Sequence, residues 1–284
     1  MQIVKLSGGL GNQLFQYEYG KYLAQKYNDQ VSYDASFYNL QNQGPTDKRN
    51  LELNKFNIDI NLVDENDFPF LKLAAKDLLR YIIESLILRK YKFYNIFYES
   101  KYSFFSRFLS LFFKNSVHIG YWQNLNYLSN LKYTLNANQP RINDSIRKKI
   151  IASNSVSIGV RRGDFVKLGE IVCDENYYKS AINIINRLPG EHTYFIFSDD
   201  IDWCKSNLKI TNKHFFVDAN KDTPFENMEL MSLCNHNIIS NSTYDWWGAT
   251  LNENKNKVVV CPKYWTPKSN EIKKEIIPDQ WVKI

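Results

Sequence analysis

Residues 2–13 read Gln-Ile-Val-Lys-Leu-Ser-Gly-Gly-Leu-Gly-Asn-Gln, and their reading decides the fold. Gln2 to Leu6 is a short apolar, β-branched run, Ser7 to Gly11 a turn, and Asn12 to Tyr27 helical in character. Val31 to Asp34 then resumes as a strand. Strand, helix and strand in this order form a βαβ unit with parallel strands and a right-handed crossover. The small residues between strand and helix let backbone approach a ligand, and a helix start offers free N–H groups to an anion. Gly9-Leu10-Gly11, with Asp34 as a ribose acid about twenty residues on, also fits half of a dinucleotide fingerprint. Leu14, however, stands where its third small residue belongs. A tight turn that serves only the fold is the remaining reading.

The alternation returns in the second half of the chain. Strands are expected at Val156–Val160, His192–Phe197, Lys213–Val217, Asn237–Ile239 and Val258–Cys261. Helices are expected at Ile142–Ala152, Asn176–Arg187, Asp202–Leu208, Phe225–Asn235 and Tyr244–Leu251. Short apolar strands alternating with helices predict a doubly wound α/β domain. Residues 40–50 are polar and read as a loop, and Leu71–Phe113 is largely helical in pattern. The polar run Asn136-Ala137-Asn138-Gln139-Pro140 reads as the approach to a linker. The expectation is therefore two Rossmann-like domains, 1–140 with a helical insertion and 141–284.

Composition agrees with a folded chain of this size. In 284 residues, 44% are hydrophobic and 23% charged, which excludes disorder, collagen-like repeats and a small disulfide scaffold. Cys173, Cys204, Cys234 and Cys261 are scattered without a C-x-x-C pair, as buried thiols of a reduced compartment are. Close ligand pairs for zinc are missing from the sequence. The opening Met-Gln-Ile-Val-Lys-Leu reads as a strand rather than a signal peptide. No apolar run reaches the roughly eighteen residues of a membrane span. A soluble, cytoplasmic chain is expected. The net charge of +6 is interspersed rather than striped, which argues against nucleic acid and suits an anionic small molecule. Phe104, Phe105, Phe108, Leu109 and Phe112 share one helical face flanked by Arg107 and Lys114. Such a stripe first signals a packed core; weak contact with the inner face of the plasma membrane is the alternative.

Ligands of doubly wound sheets sit beyond the carboxyl ends of strands, so the chemistry is sought there. Gly159-Val160-Arg161-Arg162-Gly163-Asp164 ends a strand with two guanidinium groups, whose planar forks match phosphate oxygens. One arginine is expected to bind phosphate while the other pairs with Asp164. Phe197-Ser198-Asp199-Asp200 places carboxylates directly after a buried strand, where they suit a base or ribose. Asp200-Ile201-Asp202 matches an acid-x-acid metal triplet only weakly. Ser240-Asn241-Ser242-Thr243 is a helix cap and, by the same geometry, a phosphate site. Tyr121, Trp122, Trp246 and Trp247 stand in these segments and are candidates to border a sugar cleft.

Taken together, these segments resemble the α-1,2-fucosyltransferases of bacteria and animals, glycosyltransferase family eleven. The carrying motifs are Gly8–Tyr17, Gly120-Tyr121-Trp122-Gln123, Val160–Asp164, Phe197–Asp200, Glu229–Leu233, Ile238–Thr243 and Trp246-Trp247-Gly248-Ala249, in family order along the whole chain. The resemblance implies a GT-B fold, two Rossmann-like domains facing across a cleft. It implies GDP-β-L-fucose as donor, no cofactor or required metal, inversion, and a galactose-ended oligosaccharide or lipid-linked glycan as acceptor in surface-polysaccharide (O-antigen) synthesis. It puts Arg161 or Arg162 at the pyrophosphate, Asp199 at the guanine and Asn241, Ser242 and Thr243 at the phosphates. Gly9, Gly11 and Asn12 shape the other side of the cleft. The sequence does not identify the base that deprotonates the acceptor hydroxyl; Asp164 and Asp34 are candidates by location only. A different nucleotide-sugar donor, or a glycan-binding protein without transfer, is the alternative. Two positions depart from the pattern: Gly159 replaces a His, and Asp245 replaces a Ser and adds a carboxylate near the phosphates.

Overall fold

A computed structural model describes residues 1–40, 48–63, 95–99, 115–129, 133–134, 143–218, 223–268, 273 and 275–284. The chain divides into two compact units, Met1–Asn54 with Ile58–Asn130, and Lys55–Asn57 with Leu131–Ile284.

The N-terminal unit is built on strand β1 (Gln2–Lys5), helix α1 (Leu10–Tyr27) and strand β2 (Val31–Asp34), as expected. Strands β3 (Asn95–Tyr98) and β4 (Ser116–Ile119) complete a parallel sheet in the order β2-β1-β4-β3. Within Leu71–Phe113, expected to be largely helical, Asn95–Tyr98 is instead strand β3: its four residues pair in register with β4, and that pairing outweighs local pattern. The rest of that stretch, including the Phe104–Phe112 stripe, and the expected linker at 136–140 lie outside the described residues. Helix α1 buries Leu10, Leu14, Phe15, Tyr19 and Leu23 against the sheet and ends at Asn28, which takes the left-handed conformation at φ 48°.

The C-terminal unit carries α2 (Asp144–Ile151), β5 (Ser155–Val160), α3 (Gly163–Leu168), α4 (Glu175–Ile185) and β6 (Thr193–Ser198). It continues with α5 (Ile201–Asn207), β7 (His214–Asp218), α6 (Pro224–Ser232), β8 (His236–Ile238) and α7 (Thr243–Thr250). Strands β9 (Val259–Cys261) and β10 (Val282–Lys283) close the sheet. The ten elements expected from the sequence are all present within a few residues; α3 and β10 are additional. The six strands are parallel in the order β10-β9-β8-β5-β6-β7. Numbered from β5, this is the 3-2-1-4-5-6 order of a dinucleotide-binding sheet, whose order reverses between β5 and β8.

Alternation along β6 explains why the sheet is covered on both faces. Tyr194 and Ile196 join Val156, Ile158 and Val160 against Tyr178, Ala181, Ile182 and Ile185 of α4. Phe195 and Phe197 point the other way, onto Ile150, Leu230 and Met231. Each such side chain contributes about 1.5–3 kcal/mol on burial. All four cysteines are buried free thiols. Among the described residues, no helix is long and apolar enough to cross a membrane.

Candidate active site

The arginine turn leaves β5 at the point where the strand order reverses. Just beyond Val160, the last residue of β5, Arg161 and Arg162 diverge onto different partners. Arg161 pairs through Nη2 with Asp164 Oδ1 and through Nη1 with Asp199 Oδ2, the latter at 2.6 Å. Its guanidinium also lies 5.5 Å from the Phe165 ring centre. Arg162 turns towards α5: its Nε donates to Asp200 Oδ2 at 3.2 Å and its guanidinium stacks 4.1 Å over Trp203. Arg161 is the partner of Asp164, while Arg162 has an acidic partner of its own in Asp200, so both arginines are ion-paired rather than one of them being left to a phosphate.

Asp199 binds the turn with both oxygens. Oδ2 meets Arg161, and Oδ1 accepts the Arg162 backbone N–H at 2.9 Å. Gly163, at the start of α3, has no room for a side chain, because a Cβ there would stand 2.6 Å from Asp199 Oδ2. Asp200 caps α5, its Oδ1 accepting Trp203 N–H at 3.1 Å. Asp202 lies in the first turn of that helix. Among the described residues, no group of three His, Cys, Asp or Glu side chains is arranged to hold a metal ion.

Across the reversal point, β8 leads into α7. Asn241 ties this loop down, its Nδ2 donating to Glu170 O at 2.8 Å and to Trp265 O at 3.2 Å. Ser242 is the N-cap, accepting Tyr244 N–H at 3.2 Å, and Thr243 is the first helical residue. Asp245, in the first turn, is only 5% exposed. Its Oδ2 accepts Ser240 N–H at 3.1 Å and Ser240 O–H at 2.5 Å. Burial pushes its carboxyl up to about 6, with Asp199 adding to the rise, against the opposing pull of the Ser240 bonds and the Arg161 charge. Ser240 is the residue the sequence reading passed over. It stood inside the quoted run, but nothing marked it as the carboxylate's partner. The departing positions Gly159 and Asp245 meet in space: a Cβ on Gly159 would lie 2.3 Å from Asp245 Cγ.

The N-terminal unit places its glycine turn in the same way, at the reversal between β1 and β4. Gly8 takes φ +76°, while Gly9 caps α1 with extended backbone, no side-chain cap bond and open space where a Cβ would be. Gln13 holds the turn from within α1, donating to Gly8 O at 3.2 Å and Asn50 O at 2.8 Å. Asn12 Oδ1 accepts Gln123 Nε2 at 3.1 Å, which joins the Gly9-Leu10-Gly11-Asn12 segment to Gly120–Gln123. Asp34 is fully buried; its Oδ1 accepts Ser36 N–H, and Lys5 Nζ lies 3.7 Å from Oδ2.

The expected cleft aromatics need correction. Trp122, Trp246 and Trp247 are at most 1% exposed and belong to cores, whereas Tyr121 is 44% exposed. Trp122 stacks 4.0 Å from Tyr19, and Trp246 donates its indole N–H to Ile276 O at 2.7 Å. Large rings satisfied in this way stabilise packing and are not available to a sugar.

Both parallel sheets thus carry a turn at the point where the strand order reverses, the arginine turn in one and the glycine turn in the other. The profile of Glycosyl transferase family 11 matches residues 2–284. The chain belongs to this family. The family 11 protein is 30% identical to the O-antigen biosynthesis glycosyltransferase WbnK of Escherichia coli, over 98% of this chain and 99% of that one. It is 31% identical to an alpha-1,2-colitosyltransferase of the same organism, over 99% and 98%. In structure it is similar to the fucosyltransferase NodZ from Bradyrhizobium, with a TM-score of 0.50 and 14% identity over 88% of this chain and 91% of that one. The fold of this family 11 enzyme is accordingly of the GT-B class, and its chemistry is glycosyl transfer.

Proposed function

We propose that the enzyme transfers L-fucose from GDP-β-L-fucose to the 2-hydroxyl of a terminal galactoside, with inversion, in the assembly of a surface polysaccharide. The observation that carries this reading is the arginine turn beside the capped start of α7, in a chain whose full-length relatives include an O-antigen glycosyltransferase. We assign the donor to the region 141–284 and the acceptor to 1–140.

Arg161 is assigned to the diphosphate because it stands on the reversal-point side, close enough to Asp245 of α7 for their charges to interact. Arg162, drawn away onto Trp203 and Asp200, is assigned to holding the turn. Asp164 and Asp199 orient Arg161, so its fork is fixed before the donor arrives. The N–H groups at the start of α7, with Ser242, Thr243 and the loop anchored by Asn241, cap the phosphates. Gly9, Gly11 and Asn12 shape the acceptor-side turn, whose open Gly9 face leaves room beside the α1 start.

In the reaction the acceptor oxygen forms its bond to the anomeric carbon as the bond to the β-phosphate oxygen breaks. GDP departs with the electron pair, and the hydroxyl proton passes to a base or to solvent. Catalysis rests on positioning and on stabilising the charge that develops on the leaving diphosphate. The chain itself supplies the opposing positive charge through Arg161 and the helix start, and activity in the presence of chelator is expected. Incubation with GDP-fucose and lactose in EDTA, followed by GDP release, tests the reading. Absence of release with every galactoside offered overturns it. The likeness to a colitosyltransferase favours a second reading, the same site with another deoxyhexosyl donor. A panel of GDP- and UDP-sugars in thermal unfolding separates the two, since the true donor stabilises by mass action.

A further inference from the structure

The space above Gly159 is filled by a carboxylate. A Cβ there would stand 2.3 Å from both Cγ and Oδ2 of Asp245 and 2.7 Å from Oδ1, so no side chain at 159 is compatible with Asp245 where it lies. Gly159 is not required by its backbone, since only Gly8, Gly169 and Gly190 take positive φ among the described glycines. A glycine inside a strand without such a need marks a close approach. Arg161 follows two residues after Gly159, and its charge acts on Asp245, so the carboxylate enters on the Arg161 side. Asp245 Oδ2 is held by Ser240 N–H and O–H, while Oδ1 accepts no hydrogen bond among the described residues.

We propose that Gly159 and Asp245 form one functional pair, in which the glycine admits the Asp245 carboxylate beside Arg161 and Asp245 acts as a positioning residue that tunes how tightly this site holds a nucleotide diphosphate-sugar. This rests on the donor reading given above. With Asp245 ionised, Arg161 answers three carboxylates, Asp164, Asp199 and Asp245, before any phosphate arrives. A proton on Asp245 removes one of these competitors and leaves more of the guanidinium's attraction for the diphosphate. The groups facing Asp245 are Arg161 from the turn, Asp199 from the end of β6, Cys173 from the loop before α4, and Tyr177 and Tyr178 from α4. Burial pushes the thiol and both phenols up, so none of these three ionises near neutrality. Asp245, pushed up to about 6, changes charge there.

The test measures GDP-fucose affinity by calorimetry between pH 5 and pH 8, with thermal unfolding alongside. The diphosphate of GDP-fucose is esterified at both ends and binds no proton in this range. Wild-type affinity is expected to fall about tenfold from pH 5 to pH 8, as a carboxyl titrating near 6 loses its proton. Asp245→Asn is expected to bind at the tighter level throughout, with a flat profile. Gly159→Ala is expected to lower both affinity and melting temperature, and Asp245→Ser in the same chain to restore the melting temperature. A wild type that binds with no pH dependence, an Asp245→Asn profile parallel to the wild type, or a Gly159→Ala loss unrelieved by Asp245→Ser overturns the pair. Absence of binding of GDP or any GDP-sugar by the wild type overturns the donor reading and the tuning with it, a pattern distinct from the other three.

Discussion

Gly163→Ala probes the arginine turn without touching a charged residue. Gly163 is exposed at the first position of α3 and does not have positive φ, so alanine suits its backbone. By propensity and unfolded-state entropy alone, the change should stabilise by about 0.4–1 kcal/mol. The structure reverses the sign. The new Cβ would stand 2.6 Å from Asp199 Oδ2 and 3.2 Å from Cγ, which displaces the carboxylate that binds Arg161 and the Arg162 N–H. Hydrogen bonds to charged groups contribute about 1.5–3 kcal/mol each, so complete loss of the two would cost about 3–6 kcal/mol. Partial recovery is expected because an aspartate can shift by a few tenths of an ångström. The net loss is then about 1–2 kcal/mol, or about 2–8 °C in melting temperature for a unit of this size. Arg161 loses one of its two orienting carboxylates, so kcat/KM for GDP release should fall about tenfold or more, as misplacement of a charge-stabilising group does. Thermal unfolding and steady-state GDP release on the purified variant measure both. A melting temperature raised by the substitution, with unchanged kcat/KM, would refute the clamp described for Asp199.

Arg161→Ala is expected to abolish transfer, and Arg162→Ala to keep most of it while losing about 1–2 kcal/mol of stability through the lost stack on Trp203; parallel GDP-release and unfolding measurements distinguish them, and equal losses of activity would contradict the assignment. Gly20→Ala should destabilise the N-terminal unit by about 2–3 kcal/mol, because its Cβ would stand 2.2 Å from the Tyr33 hydroxyl, which donates to Tyr17 O; chemical denaturation reads the loss. Asp245 has a folded value raised to about 6 from 3.8, so the folded state holds its proton more tightly and the ionised carboxylate costs stability above pH 6. Asp245→Asn should therefore gain about 1–3 kcal/mol over the wild type at pH 8 and little at pH 4, as melting curves at the two pH values would show. His118 runs the other way: burial holds it down to about 3, so it favours the folded state while neutral, and stability falls as pH drops from about 6.5 towards 3. His118→Gln should flatten that acid limb.

The C-terminal unit was the more legible part of the chain, because each of its strands is a short apolar run bounded by polar turn residues and each helix has its own period. Asn95–Tyr98 was not legible as a strand, since its order comes from pairing with β4 rather than from its own four residues. Strand β10 is shorter still and is set by β9. In the site, the arginine turn and the helix cap could be read from residue type and position at strand ends. What escaped was partnership across the sequence: Asp199 with the turn, Ser240 with Asp245, and Gly159 with Asp245. Trp246 and Trp247 were misplaced because aromatic type does not distinguish a ring facing a sugar from one locked in a core.

The acids that form ion pairs with the arginine turn, Asp164, Asp199 and Asp200, come from one continuous stretch. Arg161, Arg162, Asp164, Asp199, Asp200 and Trp203 lie between the start of β5 and the end of α5, whereas α7 comes later in the chain. Chains fold N-terminal parts first as they are synthesised. The β5-to-α5 segment therefore carries its own neutralising acids, and the two arginines at the carboxyl end of β5 have their ion-pair partners once this segment has folded. Helix α7 comes later in the chain, and the ion pairs that set the arginine turn need none of its residues.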